Sequence, residues 1–190
     1  MNEEKDEFSP GELMRRAIAG DHEAFGIIYN AYFSQIYRYV YFRVRDKSAA
    51  EDIVQSVFLK VFAKLPSYEE RARPPLAYLF TVARNKIIDH WRKNKPIELA
   101  GDNDFNGIPD PAETAEETVS RAVAMEKISR ALEDISADQR EVIILKFLNE
   151  LSYREIAEIS GKNETAVRKL ASRGLKKLRQ YFKQKNIQEP

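Results

Sequence analysis

The sequence predicts an all-α protein: two small helical bundles joined by a flexible acidic linker, the second bundle ending in a helix-turn-helix. Three observations predict it. Apolar residues recur at helical spacing along most of the chain, and no stretch alternates apolar and polar as a half-buried strand would. Ser stands three residues before Glu or Gln at Ser48, Ser136 and Ser152, the pattern of a box that closes a helix start. Finally, Pro96–Thr118 holds seven acids and no base, punctuated by Pro96, Gly101, Gly107, Pro109 and Pro111. Such a segment buries too little to pack and reads as a tether. The expected divisions are residues 9–95, a linker 96–118, and residues 119–183.

Ser9-Pro10 opens a first helix running to Ala19, because Pro sits well in a first turn. Leu13, Ala17 and Ile18 give it an apolar stripe, and Gly20 ends it. Asp21 caps a second helix extending to about Arg45. Its stripe is aromatic: Phe25, Ile28, Tyr29, Tyr32, Phe33, Ile36, Tyr37 and Val40. Tyr39, Tyr41 and Phe42 fall off it, free to cover another helix or a partner. Asp46-Lys47 then makes a turn, and Ser48 with Glu51 starts a third helix. Ile53, Val54, Val57, Phe58, Val61, Phe62 and Leu65 form its core side, and Glu51, Asp52, Gln55, Ser56 and Lys60 its polar side. Acids in a first turn suit the helix dipole, so local physics alone accounts for Glu51 and Asp52.

After a Pro66–Pro75 loop carrying Tyr68, Arg71 and Arg73, a fourth helix runs from Leu76 to about Asn94. Leu76, Leu79, Phe80, Ala83, Ile87 and Trp91 face inward; Tyr78, Thr81, Arg84, Asn85, Lys86, Asp89 and Arg92 face out. Five bases against one acid lie between Arg84 and Lys95. Rings beside a basic, amide-bearing helix suit single-stranded nucleic acid: bases stack while cations follow the phosphates.

Toward the end of this acidic segment, from about Glu113, a helix resumes, with Val119, Val123, Ile128 and Leu132 toward a second core. Ser136 and Gln139 start the next, which packs Val142, Ile143, Leu145, Phe147 and Leu148. Ser152 and Glu155 start the one after. Ala157 followed by Gly161 then sets the tight turn of a helix-turn-helix, since Gly tolerates the left-handed conformation. Asn163 caps the last helix, which buries Val167, Leu170, Gly174 and Leu178. Its other side carries Thr165, Arg168, Lys169, Ser172, Arg173, Lys176 and Lys177. Nine bases and one acid, Glu164, lie between Gly161 and Lys185. A cationic helix presented in this way fits a DNA major groove and its flanking phosphates.

Other function classes lose support. The 190 residues are 43% hydrophobic and 32% charged, with a net charge of +1 that conceals strong local blocks. There is no Cys, hence no disulfide or thiol chemistry. No phosphate-binding Gly loop occurs, and His22 and His90 stand apart, so no metal, cofactor or nucleophile constellation assembles. No apolar run reaches the ~18 residues of a membrane span, and MNEEKDE is no signal peptide, so the expectation is a cytoplasmic protein. Two rival readings are a plain helix-turn-helix regulator with a sensing or dimerising first bundle, and an enzyme with a DNA-binding appendage. The first leaves the AEDIVQ face and the ARN helix unexplained; the second lacks a catalytic set.

These segments, in order, resemble bacterial RNA polymerase sigma factors of the sigma-70 superfamily, in the short extracytoplasmic-function (ECF) branch. The resemblance rests on AGDHEAFGIIYNAYF, AAEDIVQSVFLKVFAKL and YLFTVARNKIIDHWR in the first domain. In the second it rests on SADQREVIILKFLNELSYREIAEISGKNETAVRKLASRGLKKLR. It implies a region 2-like first domain and a second domain of the winged-helix-like, region 4 type. Glu51, Asp52, Gln55 and Ser56 are then expected to dock on the polymerase beta-prime clamp helices. Tyr68, Tyr78, Thr81, Arg84, Asn85, Lys86, Asp89 and Arg92 would capture flipped bases of the −10 element. Asn163, Thr165, Arg168, Lys169, Ser172, Arg173, Lys176 and Lys177 would read the −35 element, with the domain around them on the beta-subunit flap. The implied partners are core polymerase, promoter DNA and an anti-sigma factor, with no cofactor, no membrane insertion and a monomer when free. Many relatives have Ala where this chain has Gly174, and a Ser-Arg pair after the first basic residue, so promoter sequence does not carry over.

Overall fold

A computed structural model describes residues 8–65, 74–94 and 115–185. Among these residues the chain forms α-helices and one π-helical turn, and no strand. The elements are α1 (Pro10–Ile18), α2 (His22–Val44), α3 (Lys47–Lys64), α4 (Pro75–Lys93), α5 (Ala115–Glu133), α6 (Ala137–Ile143), the π turn Ile144–Leu148, α7 (Tyr153–Ser160) and α8 (Glu164–Gln184). They group into two units: Met1–Val40 with Ser48–Lys95, and Tyr41–Lys47 with Pro96–Pro190. The expected −10 residue Tyr68, with Arg71 and Arg73, lies outside the described residues, as does the linker up to residue 114.

In the first unit the starts follow their local chemistry. Ser9 accepts the Glu12 N–H at 3.3 Å, and Asp21 accepts the Ala24 N–H at 3.1 Å. Arg16 pairs with Asp21 at 2.7 Å, tying α1 to the start of α2. Those two bonds, the Ala24 amide first and Arg16 second, hold the Asp21 carboxyl below its ordinary pKa. The box expected at Ser48 does not form as a helix start: α3 already begins at Lys47, which places Ser48 inside the first turn.

The core consists of Ile28, Ile36, Val40, Val54, Val57, Phe58, Val61, Leu79, Phe80 and Ile87, with Met14 and Ala17 from α1. Tyr39 is fully buried and meets Phe80 edge-on with ring centroids 5.3 Å apart. A helix packed on two sides has no single stripe, which is why spacing set Tyr39 aside. Conversely Tyr29 and Phe62, expected in the core, are 38% and 39% exposed. They sit on the α2–α3 seam, Tyr29 against Phe58 at 4.6 Å and Phe62 against Phe25 at 5.0 Å, but at its rim.

The second unit is built on α5, α6, α7 and α8. Capping boxes close at Ser136–Gln139 and at Ser152–Glu155. Tyr41 and Phe42 are buried in this unit. Within it Arg43 and Glu141 form an ion pair at 2.8 Å, their side chains only 5% and 3% exposed. Arg45 reaches Glu133 at 2.9 Å. Arg140 donates to the Leu132 carbonyl at 2.8 Å, and burial, with Arg43 nearby, holds its guanidinium below the usual pKa.

Two expected core residues are outside. Phe147 is 46% exposed and Val123 is 51% exposed, while Ile144, Ala131 and Ile135 are buried. For Phe147 the cause is the π turn. Its wider i→i+5 winding changes the angular step, and a residue counted inward on an α-helix is carried out.

Candidate nucleic-acid interface

α8 is held in place from its first residue. The Asn163 side-chain oxygen accepts the Ala166 N–H at 2.8 Å. The turn before it rests on Gly161, whose φ of 70° and ψ of 22° are left-handed. The Lys162 N–H returns to the Ala157 carbonyl at 3.1 Å and closes the end of α7. One side of α8 buries Val167, Ala171 and Gly174. A Cβ on Gly174 would lie 3.1 Å from Ile143 Cγ1, so the glycine sets how closely α8 approaches α6.

The other side is left to solvent. Thr165, Arg168, Lys169, Ser172, Arg173, Lys176 and Lys177 are all exposed, as the spacing required. Asn163 is exposed too, with its oxygen committed to the cap. Lys162 pairs with Asp138 at 3.0 Å, so that base is partly neutralised. Two residues that sequence reasoning did not assign to this face stand beside it. Glu164 accepts from Arg168 Nε at 3.0 Å, and the Tyr153 ring lies 4.5 Å from the Arg168 guanidinium carbon. The i, i+4 spacing of Glu164 and Arg168 was a usable signal. The Tyr153 contact had none, because it crosses from α7 to α8.

On α4, Asn85, Asp89 and Arg92 are exposed, while Tyr78, Thr81, Arg84 and Lys86 are half-buried. Thr81 spends its hydroxyl on the Ala77 carbonyl at 2.8 Å. Arg92 and Asp89 approach to 3.8 Å on a solvated surface, where such a pair contributes little. The helix therefore presents a mixed basic and amide face backed by the packed Leu79, Phe80 and Ile87.

On α3, Glu51, Asp52 and Gln55 are exposed and Ser56 is half-buried. Leu59, 63% exposed, and Phe62 continue the row of Asp52 and Gln55 at helical spacing. An acidic upper half thus runs into an apolar lower half. Sequence reasoning named only the acidic half, because Phe62 was counted inward. Burial raises the pKa of Tyr37, and the Glu51 charge adds to it.

Comparison with known proteins finds two family regions along the chain. Residues 28–97 match the family described as Sigma-70 region 2, and residues 125–178 match Sigma-70, region 4. The ECF RNA polymerase sigma factor SigX of Bacillus subtilis is 30% identical over 164 residues, covering 84% of this chain and 84% of SigX. The ECF RNA polymerase sigma factor BldN of Streptomyces coelicolor is 33% identical over 171 residues, covering 88% of this chain; the match spans 63% of BldN. Among solved structures, the sigma factor RpoE of Bartonella quintana, crystallised with the anti-sigma factor NepR, superposes with a TM-score of 0.65 at 26% identity. That superposition covers 84% of this chain and 96% of RpoE.

Proposed function

The chain belongs to the ECF sigma factors of the sigma-70 superfamily, and from that premise we propose that it is a promoter-specific transcription initiation factor whose two units read different parts of one promoter. In this reading α8 enters the major groove of the −35 element. Arg168, Arg173, Ser172 and Thr165 face base edges, while Lys169, Lys176 and Lys177 hold the phosphates. The α4 face, from Tyr78 to Arg92, with Tyr68 from the stretch of sequence before it, takes up unstacked bases of the −10 element. The row Glu51, Asp52, Gln55 and Ser56 docks on the beta-prime clamp helices, and the second unit rests on the beta flap. Partner and place follow: core polymerase, in the cytoplasm, with the free factor a monomer. The observation that carries the reading is α8, whose cationic side stays exposed while its other side is locked by Val167, Ala171 and Gly174.

No nucleotide-hydrolysis motif accompanies these helices in the sequence. Strand opening is then driven by binding. Separating the duplex forfeits about 1.4 kcal/mol of stacking per base-pair step. Stacking a captured base on an aromatic side chain returns roughly 1–3 kcal/mol. A few captured bases and the polymerase contacts together supply the rest. The isolated chain therefore binds promoter duplex weakly, and the holoenzyme binds it specifically. RpoE is seen with an anti-sigma factor; an inhibitor of that kind, covering the polymerase-docking and DNA-reading faces, fits this chain as well.

Run-off transcription tests the reading. Sigma-free core polymerase, supplied with the purified chain and a library of promoter templates, should initiate on a subset sharing two spaced elements. Failure to initiate on any template, with core polymerase active alongside another sigma factor, refutes it. Tight binding of promoter duplex by the chain alone at physiological salt would refute the division of labour.

A further inference from the structure

Arg168 is the one base on α8 whose guanidinium is held on two sides by described contacts. Its Cζ lies over the Tyr153 ring, 4.5 Å from the centroid. Its Nε donates to Glu164 Oε1 at 3.0 Å, and Nη2 donates to the same oxygen. Both supports stand on fixed backbone. Tyr153 is the first residue of α7, directly after the Ser152 cap and inside the Ser152–Glu155 box, and Glu164 is the first residue of α8, directly after the Asn163 cap. Lys146 lies 5.1 Å from the same ring and donates to the Leu151 carbonyl at 3.1 Å, which braces the ring from the π turn. Yet Arg168 remains 60% exposed and Glu164 44% exposed.

An arginine on a solvated helix samples many rotamers and loses that freedom when it meets a base. Here two contacts bias that choice before any base arrives. Guanidinium has five donors. The Nε–H and one Nη2 N–H serve Glu164, which leaves the other Nη2 N–H and an Nη1 N–H, side by side on an exposed side chain, for a base. That edge matches the O6 and N7 acceptors of guanine in the major groove. Glu164 also offsets part of the charge that would draw Arg168 to any phosphate, so it weakens sequence-independent attraction.

We propose that Tyr153 and Glu164 are positioning residues that make Arg168 a reader of a guanine in the upstream element, without touching the DNA themselves. The proposal rests on α8 being the promoter-reading helix. It adds that specificity at one base is set in part from α7, outside the recognition helix.

The test uses holoenzyme reconstituted from the full chain and core polymerase, on templates randomised across the upstream element. Arg168→Ala identifies the base position, as the one whose guanine preference disappears. Tyr153→Leu should then lower the preference at that position by about two- to fivefold, the worth of an exposed cation–π contact. Tyr153→Phe, which keeps the ring, should retain it. Glu164→Ala should lower the same preference while raising use of all templates at low salt. In the free chain, NMR should place the Arg168 Nε–H resonance under the ring current in wild type and Tyr153→Phe, and out of it in Tyr153→Leu. Unchanged preference in Tyr153→Leu, an equal loss at every position, or a Phe variant as impaired as Leu would overturn the proposal. If Arg168→Ala changes no single position although the ring-current shift is present, the assignment of Arg168 as a base reader fails, and the proposal with it.

Discussion

Replacing Gly161 by Ala isolates one backbone term at the turn that aims α8. Gly161 has φ 70° and ψ 22°, and nothing lies within 4 Å of where a Cβ would stand. No clash is created, so the native-state cost is that of a left-handed residue bearing a Cβ, about 1–2 kcal/mol. Against it, Ala restricts the unfolded chain and returns about 0.4–1 kcal/mol. The net loss is about 1 kcal/mol. Asn visits this conformation readily and should recover at least half of it. The chain divides into two units, so one whole-chain transition is not assumed. Hydrogen exchange of the α7 and α8 amides, read peptide by peptide, measures the loss where it occurs; about 1 kcal/mol is roughly a fivefold drop in protection. Ala and Asn variants equal to each other and to wild type would refute the argument. A loss above about 3 kcal/mol in Ala would also refute it, since only a steric conflict reaches that size.

Four other outcomes follow from the same geometry. Glu141→Ala leaves Arg43 charged and buried and should cost about 3–5 kcal/mol by urea unfolding of the second unit, whereas Arg43→Met with Glu141→Leu together should recover most of it. Asp21 should titrate below the ordinary 3.8 in an NMR pH series, and Arg16→Ala should raise it only part of the way because the Ala24 amide remains. Its folded pKa is depressed, so its contribution to stability is present above the unfolded pKa and is lost as pH falls through the lower folded value. Arg173→Ala should weaken use of the upstream element by ~1–3 kcal/mol at one base position in run-off assays, and equal loss on all templates would reduce it to a phosphate contact. Asp52→Lys should lower affinity for core polymerase in a pull-down titration while leaving the helical circular dichroism intact.

Most helix starts were legible in the sequence because they are made by residues three apart. Ser9, Asp21, Ser136, Ser152 and Asn163 each bond an amide within their own turn. The exception, Ser48, fails because a helix can begin one residue earlier without it. The exposed face of α8 was legible for the same reason. Three and four residues apart is one side of a helix, whatever packs on the other.

The sequence by itself determined most of the helices, their order and the cationic side of the last helix. Those features depend on neighbours along the chain, whose spacing is fixed by backbone geometry. Tertiary structure alone decided which aromatic residues are covered, that Arg43 meets Glu141, that the π turn carries Phe147 outward, and that Tyr153 supports Arg168. Each of these joins residues distant in sequence, or changes the winding itself, and a periodic pattern carries no record of what arrives from elsewhere in the fold.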